Sequence, residues 1–126
     1  MYIRFVITEV DHDSNRRQGI LVAAHALRDR NVLESHEQKA LSELCKWFNE
    51  HLKVPEVLED PEHYRAISWF KGDAEKPIGQ AWQLVHLLRN QGYLVDVIKT
   101  DAPGSILYED KWQVAAKPPK GKKLGW

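Results

Sequence analysis

One stretch of the chain decides the fold: residues 65–99, which read RAISWFKGDAEKPIGQAWQLVHLLRNQGYLVDVIK. The stretch opens with a short strand-forming run that ends in Trp69 and Phe70, and it closes with a β-branched run that follows Tyr93. Between them, apolar residues recur every three or four positions, which predicts an amphipathic helix over residues 73–90. The pattern therefore predicts a strand, a helix and a second strand.

Both ends of this helix carry recognisable signals. Asp73 is predicted to be the N-cap, because its carboxylate can accept hydrogen bonds from amides of the first turn. Gly92 suits the left-handed position that follows the last turn of a helix. Trp82 falls on the apolar stripe, so it is predicted to lie in the core.

The remaining elements surround this unit. Residues 2–9 alternate as a strand, residues 16–30 have helical spacing, and Ser35 with Gln38 matches a capping box that opens a second helix. A proline-glycine pair later in the chain predicts a turn between two final strands. We therefore expect an α/β fold, with α+β as the alternative, in the order β-α-α-β-α-β-β-β. Three helices should lie mainly on one face of a five-stranded mixed sheet, as a two-layer sandwich.

Length and composition indicate a single domain that needs no disulfide bond for stability. The chain has 126 residues, one cysteine and a formal net charge of zero. Residues 1–116 are expected to form one globular domain, whereas residues 117–126 are basic, contain Pro and Gly, and are expected to form a flexible tail. The cysteine, Cys45, lies on an apolar helical stripe and is interpreted as a core thiol.

Several classes of protein are disfavoured by the same pattern. No segment resembles a signal peptide or reaches the length of a membrane span, so a cytoplasmic protein that does not contact a membrane is expected. The charge balance lacks the basic footprint of a nucleic-acid binder, although lysines of the tail could contact phosphates weakly. Phosphate-binding loops, nucleophile elbows and paired cysteines are absent, so neither a cofactor nor a metal is predicted.

Acidic residues and a histidine follow three of the predicted strands. Asp11, His12 and Asp13 follow the first strand, Asp73 follows the second and Asp101 follows the third. If these strands run parallel, the side chains share one sheet edge and could hold a divalent metal or perform acid–base chemistry. Each residue also has an ordinary structural role as a cap or turn former. The candidate catalytic residues are His12, Asp13, Asp73 and Asp101.

A second candidate site lies on the sheet face that the helices should cover less fully. Trp69 and Phe70 are adjacent in a strand, so their side chains must point to opposite faces. Aromatic and arginine side chains are enriched at protein interfaces, although scattered exposed aromatic groups are also ordinary. The candidate interface residues are Arg4, Trp69, Asp96, Tyr108 and Gln113.

Two functions from different classes follow from these observations. The favoured one is a non-catalytic module that binds an unknown protein partner or a second copy of itself, through this sheet face or through the exposed edge of the C-terminal strand. The alternative is a small metal-assisted or acid–base enzyme, which requires the carboxylates and the histidine to converge at one edge.

Overall fold

The computed structural model describes residues 1–10, 17–119 and 126, which form a helical layer packed on a six-stranded sheet. The strands are β1 (Tyr2–Val10), β2 (Arg17–Gly19), β3 (Ile67–Lys71), β4 (Val95–Thr100), β5 (Ser105–Glu109) and β6 (Gln113–Lys117). The helices are α1 (Ile20–Arg30), α2 (Ser35–His51) and α3 (Glu75–Asn90), and two short 3-10 turns, Glu56–Glu59 and Pro61–His63, lie between α2 and β3. None of the helices in these ranges is both long and apolar enough to cross a bilayer. The predicted two-layer arrangement is confirmed, and the predicted order of the elements holds apart from one added strand, β2.

Every strand pairing in the described part of the chain is antiparallel, and β1 pairs with three of the other strands. β4 pairs with one side of β1, while β3 and β2 share its other side; β6 follows β3, and β5 forms the far edge. The expected mixed sheet of five strands is therefore corrected to an antiparallel sheet of six. β3 and β4 do run in the same direction, but the connection through α3 leaves room for one strand between them, and β1 occupies that place.

β2 is the strand that the sequence pattern did not predict. The spacing predicts a helix from residue 16, whereas α1 begins at Ile20. Gly19 has low helix propensity and an extended backbone, with φ −72° and ψ 157°. Arg17 pairs with Val10 of β1, and its Nε donates to the carbonyl of Ile7 at 2.9 Å. Strand pairing therefore outweighs local helical spacing at this point.

Both predicted N-caps are wrong by one position. Ser35 is the first residue of α2 rather than its N-cap, and the side-chain amide of Gln38 donates instead to the carbonyl of Arg28 at 2.9 Å. This bond ties α2 to α1. Asp73 lies one residue before Ala74, which is the N-cap of α3 and has no polar side chain for capping. Packing between elements decides these helix starts more strongly than the capping signal does.

The predicted end of α3 is confirmed. Gly92 has a φ of +90°, and its amide donates to the carbonyl of Arg89 at 3.0 Å. The amide of Tyr93 reaches the carbonyl of Leu88 at 3.1 Å. These two bonds form the Schellman motif, in which a residue with positive φ reverses the chain. The chain therefore turns directly from α3 towards β4.

The main core lies between the helices and one face of the sheet. Inward residues of β1, among them Phe5, pack against buried residues of all three helices. Cys45 is confirmed as a core residue at 1% exposure, and burial raises the pKa of its thiol. Trp82, predicted to be buried, is 38% exposed, although its ring contacts that of Phe5 with centroids 5.2 Å apart.

A smaller core covers part of the opposite face. It contains Ile67, Trp69, Val114 and Trp126. The rings of Trp69 and Trp126 meet edge to face with centroids 4.7 Å apart, and the carbonyl of Trp126 accepts from the amide of Arg17 at 2.9 Å. Most of the predicted tail, residues 120–125, lies outside the described residues. This face is therefore partly covered by the chain itself.

Candidate ligand cavity

The candidate site lies where β1 divides its pairing between two strands. β3 pairs only with the first two residues of β1, Tyr2 and Ile3, whereas the β2 ladder begins at Val6. The two ladders leave a gap beside Arg4 and Phe5. We call this gap, between the diverging strands β2 and β3, the fork.

A cavity of about 420 Å³ lies at the fork. Its walls come from β1, β2 and β3, from α1 and α2, and from the segment that connects α2 to β3. Most of the wall is apolar, with contributions from Ile20, Phe48, Leu52, Leu58 and Phe70. Small-molecule sites typically enclose roughly 300 to 1,000 Å³. The cavity is therefore large enough for one small organic molecule.

Exposed apolar side chains mark where the cavity opens to solvent. Val22 of α1, together with Val54 and Tyr64 of the segment between α2 and β3, lines the cavity, and each is more than half exposed. The sequence predicts an acidic surface loop over residues 54–64, and its acidic side chains do not line the cavity. The opening is therefore apolar as well as the interior.

The start of α1 forms part of the cavity wall. Gly19 and the first residues of the helix line it, and the helix has neither a side-chain cap nor an acidic residue in its first turn. A Cβ built on Gly19 would lie 3.8 Å from Nη1 of Arg4, so the guanidinium sits beside the helix start. Arg4 also donates to the carbonyl of Arg17. The positive end of the helix dipole and a cationic side chain therefore adjoin the same part of the cavity.

Other polar groups are spread over the remaining walls. His25 of α1 is half-buried, and burial together with the positive charge of Arg28 lowers the pKa of its imidazole. Lys53 lies at another wall, with Nζ 5.8 Å from the ring centroid of Tyr108. Trp69 is 1% exposed, and its indole N–H has no hydrogen-bond acceptor among the described residues. Among the described residues that line the cavity there is no aspartate or glutamate.

Asp110 organises the hairpin of β5 and β6, a role that the sequence analysis missed. Its Oδ1 accepts from the amides of Trp112 and Gln113 at 2.9 and 3.0 Å. Its Oδ2 accepts from the hydroxyl of Tyr108 at 2.8 Å and from the side chain of Gln113, which also donates to the carbonyl of Lys53. Burial alone raises the pKa of Asp110, but these hydrogen bonds outweigh burial and lower it. The signal in the sequence is an aspartate just before a strand, where it can bind turn amides.

The structure brings two of the predicted catalytic residues to one end of the sheet. Asp73 and Asp101 follow strands that both end beside Tyr2 of β1. Both carboxylates are exposed, and Asp101 forms an ion pair with the N-terminal ammonium group at 3.5 Å. Neither residue lines the cavity.

The other predicted catalytic residues, His12 and Asp13, lie outside the described residues. The strand that precedes them, β1, runs antiparallel to β3 and β4 and ends at Val10, at the opposite end of the sheet. The premise that three parallel strands deliver all four side chains to one edge is therefore wrong. The sequence could not reveal this, because strand direction depends on which segments pair.

The structure divides the predicted interface residues between the two faces of the sheet. One face carries Arg4, Trp69 and Asp96, and the helix-covered face carries Tyr108 and Gln113. Asp96 is exposed and forms an ion pair with Arg17 at 2.7 Å, while Trp69 is covered by Trp126. The five residues therefore do not form one continuous surface.

One exposed group has the residue types of a metal site. Glu34, His36 and Glu37, at the start of α2, offer ligand atoms that lie within 4.8 Å of one another. His36 and Glu34 approach to 3.7 Å. Exposed acidic groups often meet in this way at a helix start, where negative charge is favourable, so the group has an ordinary structural explanation.

Comparison with known proteins provides no relative from which a function could be transferred. The chain matches no protein-family model, no curated protein and no solved structure. Its function is therefore inferred from the chemistry of the cavity.

Proposed function

We propose that this protein is a non-catalytic binding module that holds one small, largely apolar molecule in the cavity at the fork. The cavity itself carries this proposal, since it combines a volume of about 420 Å³ with a mostly apolar wall and a few polar groups. Residues of the main core, such as Leu41 and Leu84, are 0% exposed. The cavity therefore arises from divided strand pairing and not from loose packing throughout the core.

The polar groups of the cavity favour binding over catalysis. The part of the wall that the structure describes has no carboxylate that could orient His25 as a base or hold a divalent cation. The thiol of Cys45 belongs to the closed core, where burial raises its pKa and disfavours the nucleophilic thiolate. The cavity therefore has an apolar wall with a few hydrogen-bond donors, and this composition is typical of a binding site.

A neutral dye that is sensitive to its environment, such as Nile red, tests the proposal. We expect one dye per chain, with increased and blue-shifted emission. Gly19→Leu should weaken binding by about tenfold, because a side chain at this position occupies the cavity and the backbone φ of −72° accepts it. Gly79→Leu is the matched control, since Gly79 lies on α3 with no atom within 4 Å of an added Cβ.

Ser68→Leu provides a second filling variant from the opposite wall of the cavity. Thermal unfolding followed by circular dichroism shows which variants remain folded. Loss of dye binding in folded Gly19→Leu or Ser68→Leu, with binding retained in Gly79→Leu, supports the proposal. Undiminished binding in both filling variants places the dye elsewhere and overturns it.

Association with a protein partner or a second copy of the chain remains a second candidate function, and the edge strand β5 favours it. The C-terminal strand β6 is paired on both sides, so the expected edge is corrected to β5. Ile106 and Leu107 of β5 are exposed, and an unpaired edge with apolar side chains can pair with another strand. If β5 pairs with itself across a dimer, light scattering will show a mass that rises with concentration, and Ile106→Lys will abolish the rise. A constant monomer mass excludes self-association.

A further inference from the structure

We propose that the cavity selects a ligand with an aromatic ring, and that this ring binds against Phe70 on the helix-covered side of the sheet. This inference rests on the proposed function and names its ligand class. It predicts that the aromatic character of the ligand, and not only its apolar surface, determines affinity.

The phenylalanines of the chain are concentrated at this site. The sequence has three of them, and all three, Phe5, Phe48 and Phe70, line the cavity. They come from three different elements, β1, α2 and β3. Phe5 and Phe48 belong to the main core and Phe70 packs against it, so the three rings lie on the side of the sheet that the helices cover. Part of the cavity wall is therefore aromatic.

The three rings contact one another through Phe70. The ring centroid of Phe70 lies 6.2 Å from that of Phe5, at an interplanar angle of 63°, and 6.4 Å from that of Phe48, at 38°. Aromatic rings attract each other in tilted and edge-to-face arrangements when their centroids lie roughly 4.5 to 7 Å apart. Phe5 and Phe48 are each 3% exposed, whereas Phe70 is half-buried. Phe70 is therefore the central ring and the one that its neighbours cover least.

Two tryptophans outside the cavity wall support the outer rings. The ring of Trp82 meets that of Phe5 edge to face with centroids 5.2 Å apart, and the ring of Trp47 meets that of Phe48 in the same way at 5.1 Å. Five aromatic rings thus form a chain that runs from α3 to α2, with Phe70 in the middle. A wall that is already ordered in this way binds a ligand without the entropy cost of fixing its side chains.

The chemistry of these rings distinguishes aromatic from saturated ligands. An aromatic ring has a negative face and a positive edge, so a bound aromatic ring can make a further edge-to-face or offset contact with Phe70. A saturated ring of the same skeleton contributes only the burial of its apolar surface. The aromatic part of the wall therefore favours an aromatic ligand beyond what burial alone provides.

The size of the cavity suits one ring or two fused rings. An apolar cavity of about 150 Å³ accepts benzene, and this cavity measures about 420 Å³. The side chains at its opening, Val22 and Val54, are aliphatic and more than half exposed, whereas the rings of Phe5 and Phe48 are buried. A ligand with its ring against Phe70 therefore directs its substituents towards the aliphatic opening.

The experiment compares probes that differ only in aromatic character, using isothermal titration calorimetry on the full chain. The pairs are 2-phenylethanol with 2-cyclohexylethanol, and 2-naphthalenemethanol with its decahydro analogue. The saturated member has the larger apolar surface, so burial alone favours it. We expect the aromatic member of at least one pair to bind about fivefold more tightly than its saturated partner.

Equal or weaker affinity of both aromatic probes overturns this inference and leaves the proposed function intact. The same conclusion follows if the aromatic probes fail to bind a protein that binds Nile red. If neither the probes nor Nile red bind, both proposals fail.

Substitution of the central ring tests the position of the bound ring. Phe70→Leu keeps an apolar side chain and should lower the affinity for the aromatic probe by about fivefold, with little change for the saturated probe. Leu58→Met is the matched control, because it alters an aliphatic part of the same wall and should retain the preference. Thermal unfolding identifies variants that remain folded, and Phe48→Leu replaces Phe70→Leu if the latter does not fold. A preference that survives loss of the ring overturns this position.

Nuclear magnetic resonance locates the bound ring without any substitution. When only the phenylalanine rings carry carbon-13, the spectrum contains signals from three residues. We expect intermolecular Overhauser effects between bound 2-naphthalenemethanol and the ring protons of Phe70. Overhauser effects that leave out Phe70 overturn the proposal.

Discussion

The two sides of β1 show how one strand builds both a closed core and an open site. On one side, β1 and β4 pair continuously from Tyr2 to Ile7. On the other side, the pairing passes from β3 to β2 and leaves the fork between them. The same apolar side chains of β1 face the helices along both of these ladders. Interrupted pairing, rather than a lack of apolar residues, therefore opens the cavity.

The largest expected effect tests whether the two sides are packed differently. Ile7→Ala removes a side chain that is 2% exposed in the main core, and should lower the free energy of unfolding by about 3 to 4 kcal/mol. Leu58→Ala removes a half-buried side chain that already borders the cavity. This substitution should therefore lower the free energy of unfolding by only about 1 kcal/mol. Urea denaturation measures both values. Equal losses would show that the cavity side is packed as tightly as the closed side.

The second expected effect concerns the smaller core on the face opposite the helices. Trp126→Ala should lower the free energy of unfolding by about 2 to 3 kcal/mol, because the indole of Trp126 is 8% exposed against Trp69. The emission of Trp69 should also shift to the red as water reaches its ring. Trp126→Phe keeps a ring and should lose less stability. Unchanged stability and emission in Trp126→Ala would show that this contact does not support the sheet.

The third effect concerns the strands beyond the fork, where Asp110 holds the hairpin of β5 and β6. Asp110→Asn should lower the free energy of unfolding by about 1 to 2 kcal/mol at neutral pH, because it removes a charged acceptor of several hydrogen bonds. The pKa of Asp110 is lowered by folding, so this stabilisation is present above the ordinary value of 3.8. This stabilisation decreases as the pH falls below 3.8, and it is lost as the pH falls through the lowered pKa of Asp110 in the folded state.

Denaturation across this acidic range measures the effect. The difference in stability between the native protein and Asp110→Asn should shrink as the pH falls. Asp101→Asn is a suitable control, because that carboxylate is exposed and its ion pair lies at an open end of the sheet. A difference that stays constant with pH would show that the charge of Asp110 does not stabilise the hairpin.

Local signals in the sequence predicted most of the fold. Alternation predicted β1, helical spacing predicted the body of each helix, and the glycines at 92 and 104 mark turns that do have positive φ. The errors lie where a distant segment overrides a local preference. Arg17 joins β2 because Val10 is available as a partner, and Gln38 binds Arg28 of α1 instead of its own helix start.

The cavity could not be predicted from the same signals. It is formed by Arg4, Gly19 and Trp69, which are far apart in the sequence and meet only through the division of strand pairing around β1. Nothing in the local period of any of these segments records that division. The predicted catalytic cluster assumed that three strands run parallel, and this premise is wrong for the same reason, since strand direction depends on long-range pairing.

The smallest effect tests whether the closed side and the cavity side are independent. Gly79 lies within α3 at a position exposed to solvent, where an added Cβ meets no atom within 4 Å. Gly79→Ala should therefore raise the free energy of unfolding by about 1 kcal/mol, because alanine loses less backbone entropy in a helix. Gly104→Ala is the contrasting control and should destabilise, since its φ is +108° and a Cβ there collides with the carbonyl of Lys117. If the stabilised Gly79→Ala variant binds Nile red as the native protein does, stability and binding are set on different sides of β1. A change in its affinity would show that α3 is coupled to the fork.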